Sequence, residues 1–501
     1  MPLTSNGKID KKALMASTIL ESENDIIAKP PRAILNDVEK YPVFDVKSTA
    51  SVTGSESSGT AQSKSSSENV TEKYPLPEKL GMSGARALRH RFFSLYRRFF
   101  SVVFIGNFVG IVFMMSRFSR GPNLANLGTA TAANLTFAAL MRQDHVVNLL
   151  FTIACAVPTS APLFIRRNCA KVYHIGGLHS GCAVAAAIWL IIFTIAGTIK
   201  SAAPAVLGIS YTLVVLLVSM VASAHPDFRA RFHNRFELIH RFAGWTALAL
   251  FWIQTILLTD SLRGSSSLGD ALVQSPGCWL LVIVSISIIL PWLNLRKVKV
   301  RREVLSNHAV RLHFDYTTPV VGTAVRISQQ PLIEWHAFAT IAKPNEKGFS
   351  LLVSNAGDWT SQQIQTGPSR LWVRGVPACG VLRIAPLFKS IVLVATGSGI
   401  GPCLPVIYAK RVPARIFWST PYPEKTFGSE IIRAIKDADQ DAIIHDTKIM
   451  GRPDMVAISY RLFRESNAEA VCIISNKKLT QMVVYAMESR GIPAFGAIFD
   501  S

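Results

Sequence analysis

In "IVLVATGSGIGPCLP" (391–405), Gly397, Gly399 and Gly401 follow an apolar run, with Ser398 between them and Pro402 directly after. Glycines let a backbone approach a pyrophosphate, and a helix that follows offers unpaired N–H groups and a positive dipole end. The same pattern also suits an ordinary strand–turn–helix corner. A second cluster, "EWHAFATI" (334–341), gathers Trp335, His336, Phe338 and Thr340. A histidine there is either a ligand contact or a strand residue satisfied by a backbone carbonyl.

Histidines at the edges of apolar segments form a third set: His174 and His179 in "YHIGGLHSGCAVAAAIWLII", and His240 in "FELIHRFAGWTALALFWIQT". The C-terminal half resembles, through "EWHAFATI" and the motifs given below, the ferric reductases and NADPH oxidases, which carry two stacked haems. That resemblance implies on each of two helices a pair of histidines about 13–14 residues apart, roughly 20 Å along the axis. No histidine lies that far beyond His174 or His179, and Gln254 falls where the distal partner of His240 belongs. An outer haem therefore lacks a ligand pair, and transmembrane electron transfer on two haems is not expected. An inner haem between His240 and either His174 or His179 stays open, beside interfacial histidines that reach headgroups or carbonyls.

The elements that must position these groups begin with a membrane. Hydrophobic residues make up 49% of the 501, charged residues only 17%, and the net charge is +21. Mean hydropathy is +0.30. Basic residues crowd the edges of apolar segments, as in "RALRHRFFSLYRRFF" and "NLRKVKVRR", which favours a bilayer over nucleic acid. The seven cysteines show no CxxC or zinc spacing and read as small buried residues of a reducing compartment. Residues 1–20 lack the apolar core of a secretory signal.

Residues 22–84 form a Ser-rich linker that cannot bury enough apolar surface to fold. Six apolar stretches follow within 85–297, near 98–116, 145–165, 174–197, 202–224, 242–259 and 277–295. Each is long enough to cross a ~30 Å hydrocarbon core as helix. Arg97, Arg166, Lys171, Arg229, Arg241 and Arg296 all lie in loops on one side, so both termini are expected in the cytosol. The uncharged stretch 123–141 is expected to be interfacial or re-entrant. After 298, short alternating runs predict an antiparallel β-barrel to 388. From 389 to 501, strands and helices alternate as in a parallel α/β domain.

The order of barrel and GSGIGP domain resembles the ferredoxin–NADP reductase superfamily. "EWHAFATI" resembles the flavin-binding motif of its ferric reductase and NADPH oxidase branch, with Ala337 where proline is usual; "AGDWT" (356–360) and "GRPDM" (451–455) also occur there. That resemblance implies FAD held by Trp335, His336, Phe338 and Thr340, and NAD(P)H held by Gly397, Ser398, Gly399, Gly401 and Pro402. It also implies a terminal aromatic on the flavin, for which Phe495 and Phe499 are candidates beside a plain packing role. "IISN" (473–476) replaces a cysteine-bearing motif that positions nicotinamide, so no catalytic residue is assigned. Ser419, Thr420 and Lys425 are candidates for a 2′-phosphate.

Residues 85–501, through "GGLHSG", "GRPDM" and "GIPAFGAIFDS", are similar to the fungal TmpA/TmpL-type transmembrane flavoproteins, associated with redox balance and developmental signalling. "PLTSNGKIDKKAL", within 1–21, resembles the last core motif of peptide-synthetase adenylation domains, in which the lysine matching Lys8 neutralises developing charge. This chain is not expected to adenylate, and Met1 is expected to be either an internal residue of a longer protein or the start of a relic. The combined expectation is a multi-pass flavoprotein oxidoreductase carrying electrons from NAD(P)H through FAD to an unidentified acceptor. The alternatives are a nucleotide-sensing scaffold without turnover and a single-haem ferric-reductase-like protein.

Overall fold

The structure is a computed structural model that describes residues 74–117 and 123–497. The adenylation-like stretch with Lys8, the Ser-rich part of the linker and Phe499 lie outside the described residues.

The main helices of the helical half are α1 (Leu95–Arg117), α2 (Leu124–Leu140), α3 (Asp144–Cys155), α4 (Leu163–Cys169), α5 (Gly176–Ile199), α6 (Pro204–Ser223), α7 (His233–Leu262) and α8 (Pro276–Leu293). Five of these, α1, α5, α6, α7 and α8, are long and apolar enough to cross a membrane. Two stretches depart from the expectation. The stretch 145–165 is not one long helix: α3 stops at Cys155, ahead of a segment carrying Pro158 and Pro162, whose missing N–H groups end helical bonding. Residues 123–141 instead form α2, which lies inside the bundle along α5 and α8 and buries Leu124, Leu127, Thr131, Ala132, Thr136 and Ala138. Its small side chains suit close helix packing, and the Thr136 hydroxyl donates to Leu280 O across 3.2 Å.

Close packing also explains "GGLHSG". A side chain at Gly177 would strike the Tyr96 carbonyl of α1, and one at Gly181 would sit 3.1 Å from Phe100 O. The two glycines, four residues apart, let α1 lie directly on α5. Asn107 gathers two polar groups inside the bundle: Trp189 Nε1 and Asn134 Nδ2 both donate to its Oδ1 at 2.8 Å.

The other half begins with antiparallel strands in two sheets. One has the order β1 (Arg296–Lys299), β7 (Arg370–Cys379), β4 (Thr323–Ser328), β5 (His336–Ala339); the other is β2 (Arg301–Val304), β3 (Ala309–Phe314), β6 (Phe349–Ser354). They enclose one core that includes Val310, Leu312, Phe314, Ile327, Leu351 and Val353, and a bridge from Ile341 to Ser350 joins them. Helix α9 (Asp358–Thr366) follows β6. The last part is a five-stranded all-parallel sheet ordered β10 (Ile443–Asp446), β9 (Ala414–Thr420), β8 (Ile391–Thr396), β11 (Ala470–Ile474), β12 (Ala494–Gly496). Its near-continuous burial in β8 and β11 is what a sheet covered on both faces requires. Helices α10 (Ile400–Ala409), α11 (Ser429–Ala438), α12 (Met455–Glu465) and α13 (Lys477–Glu488) provide the cover.

Helix α3 ties the halves together. Asp144 Oδ1 accepts from Arg326 at 2.8 Å, and the Asn148 amide donates to Pro377 O at 2.9 Å and accepts from Cys379 N at 2.8 Å. Gly375, at φ +69°, leaves room for the Asp144 carboxylate that a side chain there would displace. Farther along, Arg166, only 3% exposed, forms a forked pair with Glu469 at 2.6 and 2.9 Å at the start of β11. All seven cysteines are free thiols, and burial pushes the Cys472 thiol up to about 12.

Candidate functional site

In the parallel sheet, strand order reverses between β8 and β11, and the crevice beyond their carboxyl ends is where open α/β sheets take ligands. The glycine-rich turn sits there. Gly397 adopts φ +50° with nothing within 4 Å of where a side chain would point, so its surface is open. Its carbonyl is held from below by the buried Trp418 indole, which donates across 2.9 Å. Gly399 is constrained differently: a side chain there would strike the Ile474 carbonyl at the end of β11. Ser398 is exposed between them and Pro402 half-buried, at the start of α10. Gly401 faces inward, where a side chain would touch Leu352 of β6 at 3.4 Å. Its role is packing the turn onto the antiparallel sheets.

At the same crevice, Thr396 and Ser475 share a 2.6 Å hydroxyl–hydroxyl hydrogen bond. Ser475 belongs to "IISN", so a hydroxyl pair stands at the rim where the sequence offered no thiol. Asn476 caps α13 by accepting from Leu479 N at 3.0 Å. At the end of β9, Ser419 and Thr420 are buried, which leaves the exposed Lys425 as the accessible group of that trio. "GRPDM" proves to be a helix start: Asp454 accepts from Val456 N and Ala457 N at 2.9 and 3.0 Å.

On β5, His336 stacks on Trp359 of α9 with ring centroids 4.0 Å apart, and Phe338 lies 6.0 Å from the same indole. His336 Nε2 also lies 3.2 Å from Glu334. The Trp359 N–H is buried without a hydrogen-bond partner among the described residues. A flat heteroaromatic ring fits this place, because the trio offers stacking faces and one waiting donor. Within "AGDWT" nothing local gives Trp359 a role; the fold brings it to β5.

The other two residues of the motif are committed elsewhere. Thr340 is 1% exposed and bonded to the Thr323 hydroxyl at 2.9 Å and the Thr323 carbonyl at 3.0 Å. Trp335 is buried, donates to Pro331 O at 2.7 Å, and meets Trp292 of α8 edge-on at 6.2 Å. Phe495 is a core residue against Phe388 at 5.3 Å.

Each bundle histidine has its own packing contact, and His174 Nδ1 and His240 Nδ1 are buried without a hydrogen-bond partner among the described residues. His179 Nδ1 lies 2.8 Å from Ala138 O, His174 packs on Tyr173 at 4.4 Å, and His240 on Phe236 at 4.5 Å. Gln254, at the position a second haem ligand would need, donates to Ser210 of α6 at 2.6 Å. Among the described residues, no group of three or more His, Cys, Asp or Glu could hold a metal ion.

The two sheet systems are fixed to each other by charge. Glu430 of α11 accepts from Arg311 of β3 at 2.8 Å, from Lys343 at 2.9 Å and from Tyr408 of α10 at 3.1 Å. Against the burial that would raise it, the hydrogen bonds from Lys343 and Arg311 hold its carboxyl down to about 2.

Residues 381–501 match the family described as adenylate-forming reductase 03009, C-terminal domain. The chain is 50% identical over 431 residues to adenylate-forming reductase 03009 of Coprinopsis cinerea, covering 85% of this chain and 42% of that protein. It is 45% identical over 540 residues to adenylate-forming reductase 06235 of the same fungus, covering 100% of this chain and 52% of that protein. The chain thus spans about half the length of the curated relatives it matches. Among solved structures, it is similar to a ferredoxin–NADP reductase from Neisseria gonorrhoeae with bound FAD and NADP, at 12% identity and a TM-score of 0.33, over 40% of this chain and 97% of that one. It is also similar to the ferredoxin reductase in carbazole 1,9a-dioxygenase, at 14% identity and a TM-score of 0.34, over 41% of this chain and 70% of that one.

Proposed function

We propose that this chain is a membrane-anchored oxidoreductase that takes hydride from NAD(P)H onto FAD. The observation that carries the reading is the open Gly397–Gly399 turn at the switch point of a parallel sheet, packed through Gly401 onto antiparallel sheets that bear the His336–Trp359–Phe338 pad. FAD, when bound, supplies a ring that accepts a hydride and passes electrons on singly or in pairs. The chain's own residues do the rest. Gly397, Ser398 and the first turn of α10 offer N–H groups to the pyrophosphate of NAD(P)H. The Thr396–Ser475 pair lies at the rim where the nicotinamide end would rest, and Lys425 favours a 2′-phosphate. His336, Phe338 and Trp359 would hold and orient the flavin by stacking.

Membrane anchoring rests on the five long apolar helices and α2 beside them. Exchanging α2 for the 145–165 stretch leaves Arg142, Arg166, Arg167 and Lys171 in the same loop, so the orientation reading, with the reductase half in the cytosol, is unchanged. The relatives' names, adenylate-forming reductases, agree with reading residues 1–21 as the end of an adenylation domain and the remainder as the reductase portion. A role in redox balance or developmental signalling is part of the proposal and is supported only by the resemblance to the fungal transmembrane flavoproteins. The test is an absorbance spectrum of the detergent-purified chain. Flavin bands that bleach with NADPH under anaerobic conditions are expected; protein that purifies folded and colourless after FAD addition contradicts the reading.

A further inference from the structure

Side chains of α7 and α8 line a groove of about 240 Å³: Trp245, Leu248, Ile288, Ile289 and Trp292. Every lining side chain is apolar, and both walls belong to helices apolar enough to cross a bilayer. A solute dissolved in lipid reaches such a groove; a hydrophilic one does not.

The inner end of the groove continues into the reductase half as aromatic contacts. Trp245 meets Trp292 at 5.5 Å, and Trp292 meets Trp335 at 6.2 Å. Trp335 immediately precedes His336, which stacks on Trp359. Arg241 of α7 fixes the approach by donating to Leu332 O at 2.7 Å. The Arg374 guanidinium lies 4.8 Å from the rings of both Trp292 and Trp335, and its Nε is buried without a partner among the described residues. Burial, together with Arg326 and Arg241 nearby, brings the Arg374 pKa down to about 10, and Asp144 and Glu237 offset only part of this. A desolvated, crowded cation with an unused donor is complementary to an oxygen that gains negative charge.

We propose that this groove binds a lipid-soluble quinone as the electron acceptor of the flavin site, with the quinone ring against Trp292 and a ring oxygen directed toward the Arg374 guanidinium, which lies 4.8 Å from that indole and outside the groove's lining. The inference rests on the proposed function for its electron source. The net reaction is NAD(P)H plus one proton plus quinone giving NAD(P)+ plus quinol: the hydride pair reduces the quinone, and its two oxygens end protonated. An acyl chain of phospholipid would fill the apolar walls equally well but has no ring oxygen to reduce, and the experiment separates the two.

The full chain in phosphatidylcholine nanodiscs is photolabelled with an azido analogue of ubiquinone, and the labelled peptides are mapped. Labelling within 240–262 and 276–293, suppressed by excess decylubiquinone and not by added phosphatidylcholine, is expected. Labelling elsewhere, or equal suppression by the phospholipid, overturns the proposal. Ile288→Phe, which narrows the groove, should weaken decylubiquinone protection about tenfold. The same variant, once shown to retain its helical circular dichroism, should also slow quinone-driven anaerobic reoxidation of NADPH-reduced protein by about that factor. Unchanged protection in a folded variant also overturns the proposal. A flavin that NADPH never reduces would count against the proposed function instead, while the photolabelling still decides whether the groove holds a quinone.

Discussion

The two cofactor sites proposed for this chain are built from different materials. The Gly397–Gly399 turn is made of backbone: its geometry follows from glycine conformations, and its supports are a carbonyl held by Trp418 and close contact with Ile474. The pad on β5 is made of side chains from two elements, with His336 and Phe338 from one and Trp359 from another. A backbone site tolerates almost no added atom but survives changes in its neighbours' identity. A side-chain site tolerates small shifts but loses its character with one residue.

That contrast is broken most severely at Gly399. Gly399→Ala places a methyl group into the Ile474 carbonyl, so the turn and β11 must part; we expect a loss of more than about 3 kcal/mol and no measurable NADPH binding. Gly397→Ala meets no atom and carries only the left-handed backbone cost, about 1–2 kcal/mol. Urea unfolding and NADPH fluorescence titration of both variants check the ranking, and equal effects would refute the different roles given to the two glycines.

Next in size is the tie between the helical half and the parallel sheet. Arg166→Ala strands Glu469 beside buried backbone, and a loss of about 3 kcal/mol is expected, seen as early proteolysis or a lower melting temperature of the reductase half. At the side-chain site, Trp359→Ala removes a half-buried ring and costs about 2 kcal/mol of stability. Its larger signature should be a lowered flavin content with NADPH binding retained, read from the flavin-to-protein ratio and by titration. Retained flavin would place that cofactor away from the pad.

The smallest effect is acid dependence at the junction of the two sheet systems. Glu430 has a carboxyl held at about 2 against an ordinary 4.5, so its contribution is complete above that ordinary value and is lost as pH falls toward 2. The folded state should therefore weaken between about pH 4.5 and pH 2, and Glu430→Gln should flatten that part of the profile. A variant that weakens with acid as steeply as the parent would remove Glu430 from that role.

What could be read in advance follows the same division. The glycine turn, the parallel sheet and the antiparallel runs were legible because local spacing determines them. The Thr340 hydroxyl is held by Thr323 of the neighbouring β4, a partner that a strand motif does not reveal. Trp335 was expected at flavin, yet its partner is Trp292, more than forty positions earlier in α8. The exchange of 145–165 for 123–141 has an equally physical cause. Hydropathy counts apolar residues, whereas Asp144 and Asn148 are held by Arg326 and by the carbonyl and amide of β7, partners invisible to a local window. In α2 the small residues that lower hydropathy are those that permit close packing.

The most direct test of the central claim is anaerobic reduction by NADPH carrying deuterium at the transferred position of the nicotinamide. The flavin of the 501-residue chain is expected to bleach in one two-electron step, slower with deuterium, and Gly399→Ala is expected to abolish the bleaching. Dinucleotide binding without bleaching, or bleaching indifferent to both the isotope and the turn, would contradict that claim.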